Sequence, residues 1–266
     1  MRRKELVKQT SFHELQNKKL DRCYVIIHVV TVKMPVKRDE SIVNIDMYIL
    51  YGVNLKGQKT VIGIYEENTN DNRFWLEKLE YIKSRDLKKV LFVSMESNKK
   101  LEQAFKIVYN NVNIIPSAVN IVSCIAVFVH CHWQSDSERE ILKAFLCENI
   151  EECNEILEEI KQKYYENKVA QMLLNKNCES IKAYYKYKKE FRHLFCSYFT
   201  IKTMTNNILR LNKTKDVFVN VQSIVEKILD YYTVFEQTRS YTKKEWTLIL
   251  NEIYLKFGDE IEEYIL

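Results

Sequence analysis

Glycine and proline are nearly missing from this chain: its 266 residues include four Gly and two Pro. Neither of the two common phosphate cradles, GxxxxGK[ST] or GxGxxG, can be written with them, because both need Gly where the backbone closes on a phosphate. The seven cysteines form no CxxC pair, and their odd, scattered count fits reduced thiols in a cytoplasm rather than a disulfide framework. No run of about 18 apolar residues occurs, so no membrane span and no membrane partner are expected. The basic start, MRRKELVKQTSFHELQNKKLDR, has no apolar segment of a secretory signal. Acids are absent from two windows, 22–38 and 191–215.

What is present reads as a globular protein, with 46% apolar and 29% charged residues. The length allows one large domain, or one domain with a helical annex. A net charge of +5 permits a nucleic-acid partner without demanding one, so the placement of charge matters more than its sum.

The first half alternates strand and helix patterns. Residues 24–34, rich in Val and Ile, read as a strand ended by Pro35. Residues 46–54 and 59–65 flank Leu55-Lys56-Gly57-Gln58 as an antiparallel hairpin. A helix over 70–85 carries Phe74, Leu76, Leu79 and Ile82, followed by a buried strand at 89–95, a helix at 98–109 and a short strand at 112–115 before Pro116. From about Asn120 the periodicity is almost entirely helical, with breaks near 134–137 and 213–216. Residues 140–164 are acidic, 181–215 are basic, and 217–235 and 243–264 close the chain as amphipathic helices.

This order, three antiparallel strands and then strand-helix-strand, predicts an α/β fold with a ribonuclease-H-like core, interrupted by helices and closed by C-terminal ones. Such cores hold divalent cations on carboxylates from the first strand, the end of the fourth and a later helix. Here the first strand has no acid, and only Glu96 stands where a ligand belongs; a lone Glu after a strand is ordinarily a solvated turn residue. His28 on the first strand reads as a core histidine before it reads as a substitute ligand. His130-Cys131-His132, with Cys124, Cys147 and Cys153 around it, invites zinc but lacks the CxxC and HxxxH spacings.

The 181–215 segment interleaves Lys182, Lys186, Lys188, Lys189, Arg192, Lys202, Arg210, Lys213 and Lys215 with Tyr184, Tyr185, Tyr187, Phe191, Phe195, Tyr198 and Phe199. Cations that neutralise phosphates and rings that stack on bases make a nucleic-acid surface. Rings buried in a helical core beneath a solvated basic face explain the pattern equally well.

The residues Gln16–Asp21 (QNKKLD), 48–57 (YILYGVNLKG), 61–64 (VIGI), Phe74-Trp75-Leu76, 204–208 (MTNNI), Asn212 and 245–253 (EWTLILNEI) are together similar to the bacterial Mutator-type insertion-sequence transposases. The resemblance implies an Asp-Asp-Glu triad in a ribonuclease-H-like fold with a helical insertion. In this chain the triad positions fall at Val30, Glu96 and Leu209, and the family's Cys and His after the fifth strand fall at Ser117 and Asn120. Mg²⁺ is expected only with an intact triad, so no cofactor is expected here. The family's upstream helical region, which recognises element ends, has no counterpart before residue 1, and several residues are missing after Asn212. The implied organisation is a basic extension at 1–22, the first part of the core at 23–119, the insertion at 120–203 and completing helices at 204–266. The expected role is that of a transposase-like protein (DNA transposition and recombination by resemblance) that has lost catalysis. It would contact DNA weakly and non-specifically through the nine cations named above, alone or as a homo-oligomer or mixed oligomer. The alternative is a repurposed DNA- or partner-binding protein that regulates an active relative.

Overall fold

The computed structural model describes residues 12–67, 71, 73–128, 134–196, 201–202, 206, 218, 220–236 and 241–264. In chain order the elements are helix α1 (Phe12–Asn17), strands β1 (Cys23–Arg38), β2 (Ser41–Asn54) and β3 (Lys59–Glu66), helix α2 (Phe74–Ser84), strand β4 (Lys89–Met95), helix α3 (Lys99–Val108), strand β5 (Asn113–Pro116), and helices α4 (Ala118–Phe128), α5 (Gln134–Leu146), α6 (Ile150–Lys163), α7 (Lys168–Lys182), α8 (Lys189–Phe195), α9 (Val221–Glu236) and α10 (Lys243–Ile261). They group into two compact units. One comprises Met1–Ile115, Thr200–Thr242 and Asp259–Leu266; the other comprises Pro116–Phe199 and Lys243–Gly258.

The first unit is built on a mixed five-stranded sheet in the order β3-β2-β1-β4-β5. β1 is antiparallel to β2, β2 to β3, and β4 runs parallel to β1. The first eight residues of β1 are buried on both faces, as a central strand requires; from Thr31 onward inner and outer positions alternate. The change follows the pairing, because β4 accompanies β1 only from Cys23 to His28.

β1 does not stop at Pro35 as expected, but continues to Arg38, with Pro35 opposite Asn44 of β2. Two residues on, the Lys37 amide donates to the Phe218 carbonyl, outside the β1–β2 ladder. Backbone donors alternate sides along a strand, so the donor that Pro35 lacks belongs to the side that β2 does not use. The hairpin to β2 turns at Asp39, whose φ of 54° a short polar side chain tolerates, and β2 therefore begins at Ser41 rather than at Asp46.

The β2–β3 turn is held by Asn54. Its Oδ1 accepts from the amides of Lys56 (2.9 Å) and Gln58 (2.8 Å), and its Nδ2 donates to Asp21 Oδ2 and Gln58 Oε1, both at 3.0 Å. Gly57 takes φ of 73° in this turn. Gly52 is required for another reason: a Cβ there would lie 2.4 Å from the Tyr24 ring and 2.7 Å from Ile62.

α2 and α3 pack on one face of the sheet. The buried stripe of α2 is Trp75, Leu79 and Ile82, at i, i+4 and i+7, with Phe74 and Leu76 only partly buried. The expected stripe of Phe74, Leu76, Leu79 and Ile82 left out Trp75, its most buried member, while Phe74 and Leu76 pack against the same core. Trp75 sits fully buried with Tyr48, Tyr65 and Phe74 edge-on to its ring, and joins Tyr24, Ile27, Leu50, Val93, Leu101 and Phe105 in one core. Arg85 ties this unit to its start, donating to the carbonyls of Leu15, Lys18 and Ile62. α9 packs against β3 and α1 through the face that buries Ile224, Val225, Ile228 and Leu229.

The second unit is helical. Asn149 and Asn167 cap α6 and α7 by accepting the amides of Glu152 and Ala170. Its core includes Ile141, Phe145, Cys153, Leu157, Leu174, Ile181, Tyr184 and Phe195. α10 passes from one unit into the other, with non-helical backbone at Phe257. α5 already begins at Gln134, where a break was expected. No helix among the described residues is long and apolar enough to cross a membrane, and the six described cysteines are free thiols.

Candidate functional site

Parallel pairing of β1 with β4 sets His28 against Ser94. The registered pairing ends there; Val30 lies two residues farther along β1, and Glu96 is the residue after β4. Residues two apart in a strand share a sheet face, so His28 and Val30 lie on the face of β1 opposite the α2–α3 core. Of the residues that the resemblance sets at the triad positions, Val30 has no donor atom. Val30 is buried and apolar, and Glu96 is exposed. Leu209, the third position, lies outside the described residues.

His28 is buried, and its Nε2 has no hydrogen-bond partner among the described residues. Burial among apolar neighbours lowers its pKa to about 3, so the ring is neutral at ordinary pH. Across the strands it pairs with Tyr51 on one side and Ser94 on the other. Among the described residues no three His, Cys, Asp or Glu are placed to hold a metal ion. Mg²⁺ demands several carboxylate oxygens and gives up its water reluctantly. The donor set of Val30 and Glu96 does not fit it.

Ser117 and Asn120, at the family's Cys and His positions, open α4 instead. The Asn120 amide donates to Ser117 Oγ at 3.4 Å and the Ile121 amide to the Ser117 carbonyl at 3.1 Å, an N-cap arrangement. His130, Cys131 and His132 lie outside the described residues.

The structure decides between the two readings of the aromatic segment. Tyr184, Tyr187, Phe191 and Phe195 are buried and pack on one another, with Phe145–Tyr184 centroids 4.9 Å apart and Tyr187–Phe195 5.0 Å apart, both edge-to-face. These rings are core and cannot stack on bases. Tyr198 and Phe199 are outside the described residues.

Five of the expected cations, Lys182, Lys186, Lys188, Lys189 and Arg192, line one open cleft of about 730 Å³ in the helical unit. Glu148, Glu151 and Glu190 line it too. Lys189 is ion-paired with Glu148, Lys188 with Glu252 at 2.8 Å, and Lys182 with Glu179 at 3.7 Å, whereas Lys186 lies over the Tyr187 ring. Arg192 is placed differently. It is 2% exposed, donates to the carbonyls of Phe145, Cys147 and Glu148, and stacks 4.1 Å above Tyr185. Its guanidinium closes the C-terminal end of α5, where helix carbonyls lack partners and the dipole favours a cation. Lys202 belongs to the sheet unit, and burial lowers its pKa. Arg210, Lys213 and Lys215 lie outside the described residues. Sequence reasoning had no signal for Arg192's role, because only the turn of α5 into α6 brings those carbonyls to it.

Comparison with known proteins places these features in a family. A family model described as "Transposase, Mutator family" matches residues 5–244. The transposase for insertion sequence element ISRM3 of Rhizobium meliloti (strain 1021) is 18% identical over 251 residues, covering 92% of this chain and 62% of that protein. A probable transposase for an ISRM3-like element of Sinorhizobium fredii (strain NBRC 101917 / NGR234) matches to the same extent. A probable transposase of Corynebacterium diphtheriae is 22% identical over 107 residues, covering 40% of this chain and 31% of the relative. The chain belongs to the Mutator family of transposases. It spans 62% of the length of the two ISRM3 relatives.

Proposed function

We propose that this chain is a transposase-like protein that has lost strand cleavage and keeps a weak, non-specific DNA-contacting face. The fold we read beneath it is ribonuclease-H-like; the sheet order β3-β2-β1-β4-β5, with β4 alone parallel to β1 among the registered pairs, supports this. We read 23–119 as the first part of that core, 120–203 as a helical insertion and 204–266 as completing segments. The breaks between units at Ile115/Pro116 and Phe199/Thr200 support the first two boundaries, whereas Lys243–Gly258 groups with the helical unit.

The observation that carries the loss of catalysis is the buried, apolar Val30 on the central strand β1. A two-metal site needs converging carboxylates, and an isopropyl group occupies one of the two strand positions. The DNA-contacting face is the Lys182–Lys186–Lys188–Lys189 cleft. Breaking its exposed ion pairs is a small loss, on the order of 1 kcal/mol or less each, but its three glutamates keep binding weak.

The test is fluorescence anisotropy of a labelled duplex at about 50 and 200 mM salt, with a cleavage assay in Mg²⁺ and Mn²⁺. If all four lysines meet phosphates, affinity falls by about two orders of magnitude over that range; if two do, by about tenfold. No binding at the lower salt refutes the DNA face. Metal-dependent cleavage lost in Glu96→Gln refutes the inactive site.

The exposure of Leu248 (47%) and Leu255 (78%) on α10 favours a second reading, a partner that joins oligomers of an active relative. A strictly monomeric chain in light scattering, alone and with such a relative, rules this out.

A further inference from the structure

We propose that the Glu148 carboxylate is a built-in substitute for a phosphate in the lysine cleft, and that it keeps Lys189 from joining the cations that meet DNA. The inference rests on the reading of that cleft as the DNA-contacting face.

Glu148 lies in the short connection between α5 and α6, and both it and Lys189 line the cleft. Its backbone is held on both sides. The Glu148 amide donates to Glu152 Oε2 at 2.8 Å, and the Glu148 carbonyl accepts from Arg192 Nη2 at 3.1 Å. Arg192 Nη1 donates to the preceding carbonyl, that of Cys147, at 2.8 Å, and the next residue, Asn149, caps α6. The carboxylate therefore starts from a fixed point, and although its side chain is 69% exposed it is ion-paired with Lys189. Lys189 opens α8, three residues before Arg192. One short helix thus carries both the cation that Glu148 neutralises and the guanidinium that holds the Glu148 backbone in place.

The four lysines are not equally committed. Lys186 lies over the Tyr187 ring and has no carboxylate partner among the described residues. Lys182 meets Glu179 at 3.7 Å, one turn away on the same helix, with the acid 86% exposed; such a pair yields readily to a phosphate. Lys188 and Lys189 are instead held by acids from other elements, Glu252 of α10 and Glu148 of the α5–α6 connection. Carboxylate and phosphate oxygens accept the same ammonium protons, so a lysine held by one does not serve the other. Each phosphate that is neutralised releases its counterions, and the salt dependence of binding counts those phosphates. The parent cleft therefore takes about two phosphates, through Lys182 and Lys186, and removal of the Glu148 charge adds Lys189 as a third.

The experiment is fluorescence anisotropy of a labelled duplex at about 50 and 200 mM salt with the parent chain, Glu148→Gln, and Glu148→Gln combined with Lys189→Ala. Glu155→Gln, at an exposed position of α6 outside the cleft, is the charge-matched control. The expected result is tighter binding by Glu148→Gln at the lower salt and a loss of about fortyfold across the range, against about tenfold for the parent. The double variant returns to the parent's salt slope, and Glu155→Gln keeps it. Glu148→Ala repeats the measurement without the glutamine amide. Equal slopes for the parent and both Glu148 variants overturn the inference and leave the DNA reading standing, as does a steepening that Glu155→Gln reproduces. Duplex bound by neither the parent nor Glu148→Gln at the lower salt fails the DNA reading itself, and the inference with it.

Discussion

His28 on β1 is paired with Ser94 on β4, and its buried Nε2 meets no partner among the described residues. The ring is folded in its neutral form, with the pKa depressed from 6.5 to about 3. An unfolded chain binds a proton at this ring below pH 6.5 and the folded chain does not, so stability from His28 is complete above 6.5 and declines as pH falls toward 3. The decline approaches about 1.4 kcal/mol per pH unit, on the order of 5 kcal/mol in all. Denaturant titrations at a series of pH values should show a slope in this window that is shallower in His28→Leu. Equal slopes would mean that the ring finds a proton acceptor in the folded state.

Val30→Asp should not rebuild a cleavage site. It places a carboxylate at a buried position opposite Ile49, so we expect destabilisation by several kcal/mol, following the cost of an unpaired buried charge. Thermal unfolding measures the loss, and a nicking assay in Mg²⁺ measures the gain. Nicking by this single variant would overturn the reading of the site as closed.

Arg192 and Lys186 should separate stability from DNA affinity. Arg192→Met removes the donors to three carbonyls and is expected to lower stability by on the order of 3 kcal/mol. Lys186→Ala should stay within about 0.5 kcal/mol of the parent, as exposed substitutions do, while weakening duplex binding and flattening its salt slope. A reversed pattern, with Arg192→Met folded normally and deficient in DNA binding, would return Arg192 to the DNA-contacting group.

The β2–β3 turn should tolerate no change at two positions. Asn54→Ala deletes four hydrogen bonds and is expected to lower stability by about 2–3 kcal/mol. Gly52→Ala drives a methyl into Tyr24 and should lower it by about 1–3 kcal/mol. Equilibrium unfolding in urea checks both, and an unchanged midpoint in Gly52→Ala would show that Tyr24 yields without strain.

Local patterns carried the elements well. The valine- and isoleucine-rich run of β1, the Gly57 turn and the acid-free windows were all legible as sequence, because burial on both faces, a positive φ and the absence of a donor are properties of residue type and spacing. Strand ends were less legible. Whether Pro35 stops β1 depends on which side of the strand its missing donor falls, and that is decided by where β2 and Phe218 lie.

The sequence by itself determined that Val30 carries no metal ligand, since no placement gives valine a donor atom. It also determined that the chain has few glycines to spare for phosphate loops. Only the tertiary structure decided that β1 lies beside β4 with His28 paired to Ser94, because parallel register is set by strands more than sixty residues apart. It alone separated the basic segment into an open lysine cleft, a buried ring cluster and a structural arginine. Helical periodicity says which residues share a face, but not whether that face meets water or protein; the packing of α5, α7 and α8 settled that.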